Sequence, residues 1–175
     1  LLTGPKSDHN TAFDRLYKQL GSLPRDKFEV HFAYVRQASQ LAYVIKKVAV
    51  RKKIDYLFIA GHGWVHGLTL DVGNLPGAPQ DPRKYPRSSY ADDLTPYQLE
   101  DECFDDTHKQ FSKHALCYLM SCSTGKGEDN LANAVAKRFK VRTFGARDVN
   151  SSTIVVRDKD VLDLEYTSES AMFSP

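Results

Sequence analysis

Tyr56-Leu57-Phe58-Ile59-Ala60-Gly61-His62-Gly63 is the stretch on which the fold turns. Its five leading residues carry no charge, and so short a run bounded by glycine matches a strand covered on both faces, the kind found in parallel sheets flanked by helices. The run ends abruptly, handing a histidine to a loop of small residues. A second stretch repeats the pattern: Ala115-Leu116-Cys117-Tyr118-Leu119-Met120 is continuously apolar and stops at Ser121-Cys122-Ser123-Thr124-Gly125. Open α/β sheets place their sites beyond the carboxyl ends of parallel strands, and neighbouring strands lie about 4.8 Å apart. Pairing of these two strands would therefore bring His62 and Cys122 to one edge.

Working outward, Phe13, Leu16, Tyr17 and Leu20 recur at helical spacing and are followed by Gly21, a helix stop. Phe28, Val30 and Phe32 alternate with Glu29 and His31 and predict a strand. Leu41, Val44, Ile45 and Val48 predict a second helix, with Arg51-Lys52-Lys53 placing positive charge where a helix C-terminus favours it. Leu1-Leu2-Thr3-Gly4 reads as the tail of a strand entering a turn, which predicts a domain excised from a longer chain. Residues 72–93 hold four prolines and no periodicity, predicting a long surface loop inserted near the site. Thr95-Pro96-Tyr97-Gln98 carries a capping hydroxyl, a first-turn proline and a glutamine at the third helical position, opening a short acidic helix to about Phe104. Leu131, Val135 and Phe139 mark a helix starting near Glu128, and residues 141–144 a short strand. The apolar runs 153–156 and 161–166, around a polar turn, predict a hairpin at the sheet edge. This order predicts one α/β domain over residues 1–175, a mostly parallel sheet with helices on both faces and a C-terminal edge hairpin.

Composition narrows the function. Of 175 residues, 41% are hydrophobic, enough for one core. Lys and Arg number 24 against 22 Asp and Glu, scattered along the chain, so neither nucleic acid nor a membrane is an expected partner. No apolar run approaches the roughly 18 residues of a membrane span. Cys103, Cys117 and Cys122 match no disulfide framework and no paired-cysteine metal or redox motif, which favours reducing surroundings: the cytoplasm, or a host cytosol into which the chain is delivered. Asn150-Ser151-Ser152 fits a glycosylation sequon that matters only in a secretory compartment.

A thiol becomes a strong nucleophile as thiolate, and an adjacent histidine favours that form and later protonates a departing amine. Cys122 and His62 have the residue types for these roles. The backbone N–H groups of Gly63 and Cys122 are candidates for the oxyanion, because a loop of small residues admits close approach of a substrate. Competing motifs are incomplete. His66 follows His62 by four residues but lacks a helix and a carboxylate to complete a zinc site. Ser123-Thr124-Gly125-Lys126-Gly127 lacks the hydroxyl residue after Gly-Lys of a phosphate loop. Gly-x-Ser-x-Gly is absent, and no acidic cluster has the spacing of a calcium loop. Trp64 is a candidate cleft wall, although an aromatic beside a loop is more often packing.

Residues 57–63 and 116–125 resemble the caspase-type clan of cysteine peptidases, which includes legumains, gingipains and toxin-processing peptidases and carries one hydrophobic strand ending in His-Gly and a later one ending in the catalytic cysteine. Caspases have Gln-Ala-Cys-x-Gly, whereas Ser121 here replaces the alanine and glycine follows Cys122 by three places, closer to legumain-like and bacterial toxin-processing branches. The resemblance implies a three-layer, caspase-like (flavodoxin-like) fold, His62 and Cys122 as catalytic pair, and oxyanion binding at Gly63. It also implies a specificity pocket involving Ser121, Arg147 and Asp148 and a peptide or protein substrate; members of the clan often need calcium, a small-molecule cofactor, cleavage or dimerisation to become active, whereas the residues here predict no cofactor. An activator or the remainder of a larger toxin or effector, processed by the domain itself, would be a further partner. Two other readings stay open: an inactive binding module that engages a partner through residues 72–93, and a thiol-dependent acyltransferase.

Overall fold

The computed structural model describes residues 1–4, 14–70, 93–148, 152–157, 161–166 and 169–175. Six strands form the central sheet: β1 (Leu2–Gly4), β2 (Phe32–Tyr34), β3 (Ile54–Ala60), β7 (Phe111–Met120), β8 (Arg142–Ala146) and β11 (Ser170–Phe173). Their order across the sheet is β2-β1-β3-β7-β8-β11. The first five run parallel, and β11 closes the sheet antiparallel to β8. Numbered in chain order the parallel strands run 2-1-3-4-5, a doubly wound arrangement that reverses between β1 and β3.

Strand alternation sends successive side chains of β3 and β7 to opposite faces, and each face has its own cover. On one side Leu57, Ile59, Cys117 and Leu119 pack under α2 (Ala38–Val48) and α4 (Leu131–Phe139), through Leu41 and Ile45 of the former and Val135 and Phe139 of the latter. On the other, Phe58, Ala60, Tyr118 and Met120 pack under Leu16 and Leu20 of α1 (Asp14–Gly21). This second face is aromatic: Phe58 stacks on Tyr118 with centroids 5.3 Å apart, and Tyr118 on Phe144 at 4.9 Å. Helices thus lie on both faces of a mixed, mostly parallel sheet.

The last hairpin departs from its expected place. β9 (Ser152–Arg157) and β10 (Val161–Tyr166) do pair, but as a separate two-stranded sheet. Buried Ile154 and Leu162 join the aromatic cluster, and the Ile154 N–H donates to Gln19 of α1 at 3.2 Å. Packing Ile154 and Leu162 over Phe58 and Tyr118 removes apolar surface from water, which holds the hairpin across this face, and β11 takes the edge.

Local boundaries shift for identifiable reasons. The strand expected at residues 28–32 begins at Phe32, because the Lys27 and Phe28 N–H groups still close a turn on the Pro24 carbonyl. Thr95 and Gln98 form the expected capping box of α3 (Pro96–Leu99), but Asp101 then accepts from the Cys103 N–H and turns the chain into a 3-10 segment, Glu102–Phe104. The helix expected near Glu128 starts at Leu131, where the Asn130 side chain caps the Asn133 N–H at 2.9 Å. Most of the predicted loop, residues 72–92, and Asn150 and Ser151 of the sequon lie outside the described residues.

Candidate active site

Parallel pairing of β3 with β7 sets Ala60 opposite Met120, and the Gly61 N–H extends the ladder to the Met120 carbonyl at 3.4 Å. His62 and Cys122 each follow that matched pair by two residues, so equal lengths of chain carry them past the same carboxyl edge. Their strands are the third and fourth of the parallel set, one step beyond the reversal between β1 and β3.

After β3 the chain folds into β4 (His62–Trp64) and β5 (Gly67–Thr69), which with β6 (Asp93–Leu94) make a small antiparallel sheet. Its inner face is apolar, with Leu68 and Leu94 fully buried in the core. His62 lies on the outer face and is exposed; Cys122 is half-buried. Gly63 sits directly against the cysteine loop. A methyl group there would lie 2.6 Å from the Cys122 carbonyl oxygen and 2.7 Å from Cβ of Ser121, so only glycine allows the two backbones to meet.

The loop after β7 is held by its backbone. The Ser123 N–H donates to the Asp148 carbonyl at 3.1 Å and the Gly125 N–H to the Ala146 carbonyl at 2.8 Å, which ties the loop to the end of β8. Ser123 has φ +56°, a left-handed value uncommon for serine. A methyl group at Gly125 would meet the Gly145 carbonyl oxygen at 2.3 Å. On the other side, the Thr124 carbonyl accepts from Ala132 of α4 and the Val65 carbonyl accepts from Leu131, while His66 Nδ1 lies 2.9 Å from the Asp129 carbonyl oxygen. The histidine hairpin, the cysteine loop and the start of α4 are therefore bonded into one rim.

Of the residues assigned to a specificity pocket, Ser121 is 5% exposed and its hydroxyl pairs with Thr124 Oγ1 at 3.1 Å, a framework position beneath the loop. Arg147 and Asp148 stand at the rim, both exposed. Arg147 is committed to Glu169, through its guanidinium at 2.7 Å and its N–H to the Glu169 carbonyl at 2.8 Å. Trp64 folds its ring over Gly67, close enough that a methyl group there would lie 2.5 Å from the indole, so it packs on its own hairpin.

The other two cysteines differ in environment. Burial pushes the Cys103 thiol up to about 11, with the Asp101 carboxylate adding to the effect. Burial also raises Cys117, which packs wholly inside the core. Both stay protonated near neutral pH.

Asp93 was not singled out by sequence reasoning. β4, β5 and β6 align His62 with Thr69 and Thr69 with Asp93, placing the histidine and the carboxylate in one cross-strand row on the outer face. Asp93 is nevertheless only 8% exposed. Nothing local marks it, because the pairing of β6 with β5 spans the whole connection between them.

No protein-family model, no curated protein and no solved structure matches the chain. Among the described residues, no three His, Cys, Asp or Glu side chains group to hold a metal ion, and no helix is long and apolar enough to cross a membrane.

Proposed function

We propose that the chain is a cysteine peptidase of the caspase-like type, with Cys122 as nucleophile and His62 as acid and base. The observation that carries this reading is the matched delivery of the two side chains from paired residues Ala60 and Met120, with Gly63 packed against the Cys122 peptide. Cys122 Sγ, as thiolate, attacks the carbonyl carbon of a substrate peptide bond, and the C–N bond breaks as the His62 imidazolium gives its proton to the leaving amine. The acyl group is left as a thioester on Cys122. His62 then takes a proton from water, hydroxide attacks the thioester, and the carboxylic acid leaves as the thiol is restored.

Oxyanion stabilisation falls to the N–H groups of Gly63 and Cys122. A two-residue hairpin closes on a hydrogen-bonded pair, here Trp64 with Gly67, and the alternation of an antiparallel ladder then turns the Gly63 N–H away from Leu68. Asp93 lies in the cross-strand row of His62, with Thr69 between them. Arg147 and Asp148 flank the cysteine loop and are assigned to substrate contact.

Brief alkylation with iodoacetamide at pH 7, read by mass spectrometry, tests the pair. Fast single modification of Cys122, slowed about 10²-fold or more by His62→Ala, is the expected result. Modification of Cys122 no faster than that of Cys103 would remove the peptidase reading and leave a binding module.

A further inference from the structure

We propose that a cleft at the amino edge of the central sheet, opposite His62 and Cys122, binds a small anionic amphiphile: a carboxylate or phosphate head on an apolar tail. The cleft encloses about 850 Å³, within the roughly 300–1,000 Å³ of small-molecule sites. Its floor is dry. Leu20 and Leu23 from α1 and the turn after it, Ile54 and Phe58 of β3, and Leu162 of β10 are all buried and line it, with half-buried Phe28 beside them.

The rim is basic. Lys27, Lys47, Arg51, Lys52 and Lys53 line the cleft, against two carboxylates, Glu29 and Asp55. Glu29 is taken by Lys52 at 3.1 Å and by His31 at 3.0 Å, and Lys53 donates to the Lys109 carbonyl. Arg51 has no hydrogen bond or ion pair among the described residues, and Lys47 lies over the Tyr43 ring with its ammonium 5.7 Å from the centroid. Four cations within seven residues at the end of α2 repel one another, and an anionic head placed among them relieves that repulsion. Next to them Val50 remains 80% exposed at the cleft wall, an apolar surface that a tail entering the cleft would cover. A polyanion without a tail satisfies the rim and leaves the floor unused; a neutral lipid does the reverse. The assignment does not depend on the chemistry of Cys122.

Isothermal titration of the intact protein with hexyl phosphate, decyl phosphate, decan-1-ol and inorganic phosphate, each below its aggregation concentration, tests head and tail separately. Decyl phosphate is expected to bind most tightly, hexyl phosphate less, and the alcohol and inorganic phosphate at least about tenfold more weakly than decyl phosphate. The double variant Lys47→Glu/Arg51→Glu, altered at exposed positions, is expected to lose about tenfold or more in decyl phosphate affinity. Equal binding of inorganic phosphate and decyl phosphate, equal binding of decan-1-ol, or no binding of any probe overturns the proposal. The ligand series needs no variant, so misfolding of the double variant would not rescue it.

Discussion

The two edges of the central sheet are built from opposite materials. At the carboxyl edge, small residues bring backbones into contact: Gly63 meets the Cys122 peptide and Gly125 meets the Gly145 carbonyl, each at a distance that forbids a side chain. At the amino edge, long cationic side chains stand around an apolar cleft, and the backbone is nowhere so close-packed by glycine. The contrast follows from what each edge is proposed to do. Covalent chemistry needs N–H groups and a nucleophile held to fractions of an ångström, whereas a ligand with a charged head and a flexible tail is accommodated by long cationic side chains above an apolar floor.

The sharpest break of the comparison is Cys122→Ala, which should reduce cleavage of a peptide library by about 10⁴-fold or more while leaving decyl phosphate binding at the far edge unchanged. A variant that lost both would couple the edges through the sheet. Gly63→Ala forces a methyl group into the Cys122 carbonyl. Peptide cleavage should fall about 10²- to 10³-fold, and urea unfolding should show a destabilisation of about 1–3 kcal/mol. Asp93→Asn, at the buried carboxylate in the row of His62, should slow cleavage by about tenfold or less, with Asp93→Glu restoring part of it; an unchanged rate would make Asp93 a structural residue only.

Smaller effects sharpen the same contrast. Cys103 should alkylate slowly from pH 7 to 9 and accelerate only as the pH nears about 11, where its thiolate forms, so peptide mapping after alkylation at pH 8 should find Cys122 far ahead. Gly21, by comparison with Gly63, has open space around it and no positive φ. Gly21→Ala at the end of α1 should therefore raise the unfolding free energy by about 0.4–1 kcal/mol in the same urea experiment.

Much of this arrangement was legible in the chain because it is local. Unbroken apolar runs at residues 56–60 and 115–120 mark buried strands whatever their neighbours, and Thr95 with Gln98 marks a helix start because both capping bonds close within four residues. Asn130 shows the limit of the same logic. Periodicity alone extends α4 back toward Glu128, but the cap bond to Asn133 sets its first turn.

The positions of His62 and Cys122 at the ends of two strands were determined by the sequence itself, since strand length and glycine punctuation are properties of contiguous residues. Only the tertiary structure decided that β3 and β7 are neighbours in matched register, that Asp93 shares a row with His62, and that the last hairpin covers the aromatic face while β11 takes the edge. The basic-rimmed cleft belongs to this second group, drawing its walls from α1, α2, β3, β7 and β10. These are contacts between residues tens of positions apart, chosen by which arrangement buries the most apolar surface, and no short stretch of sequence records that choice.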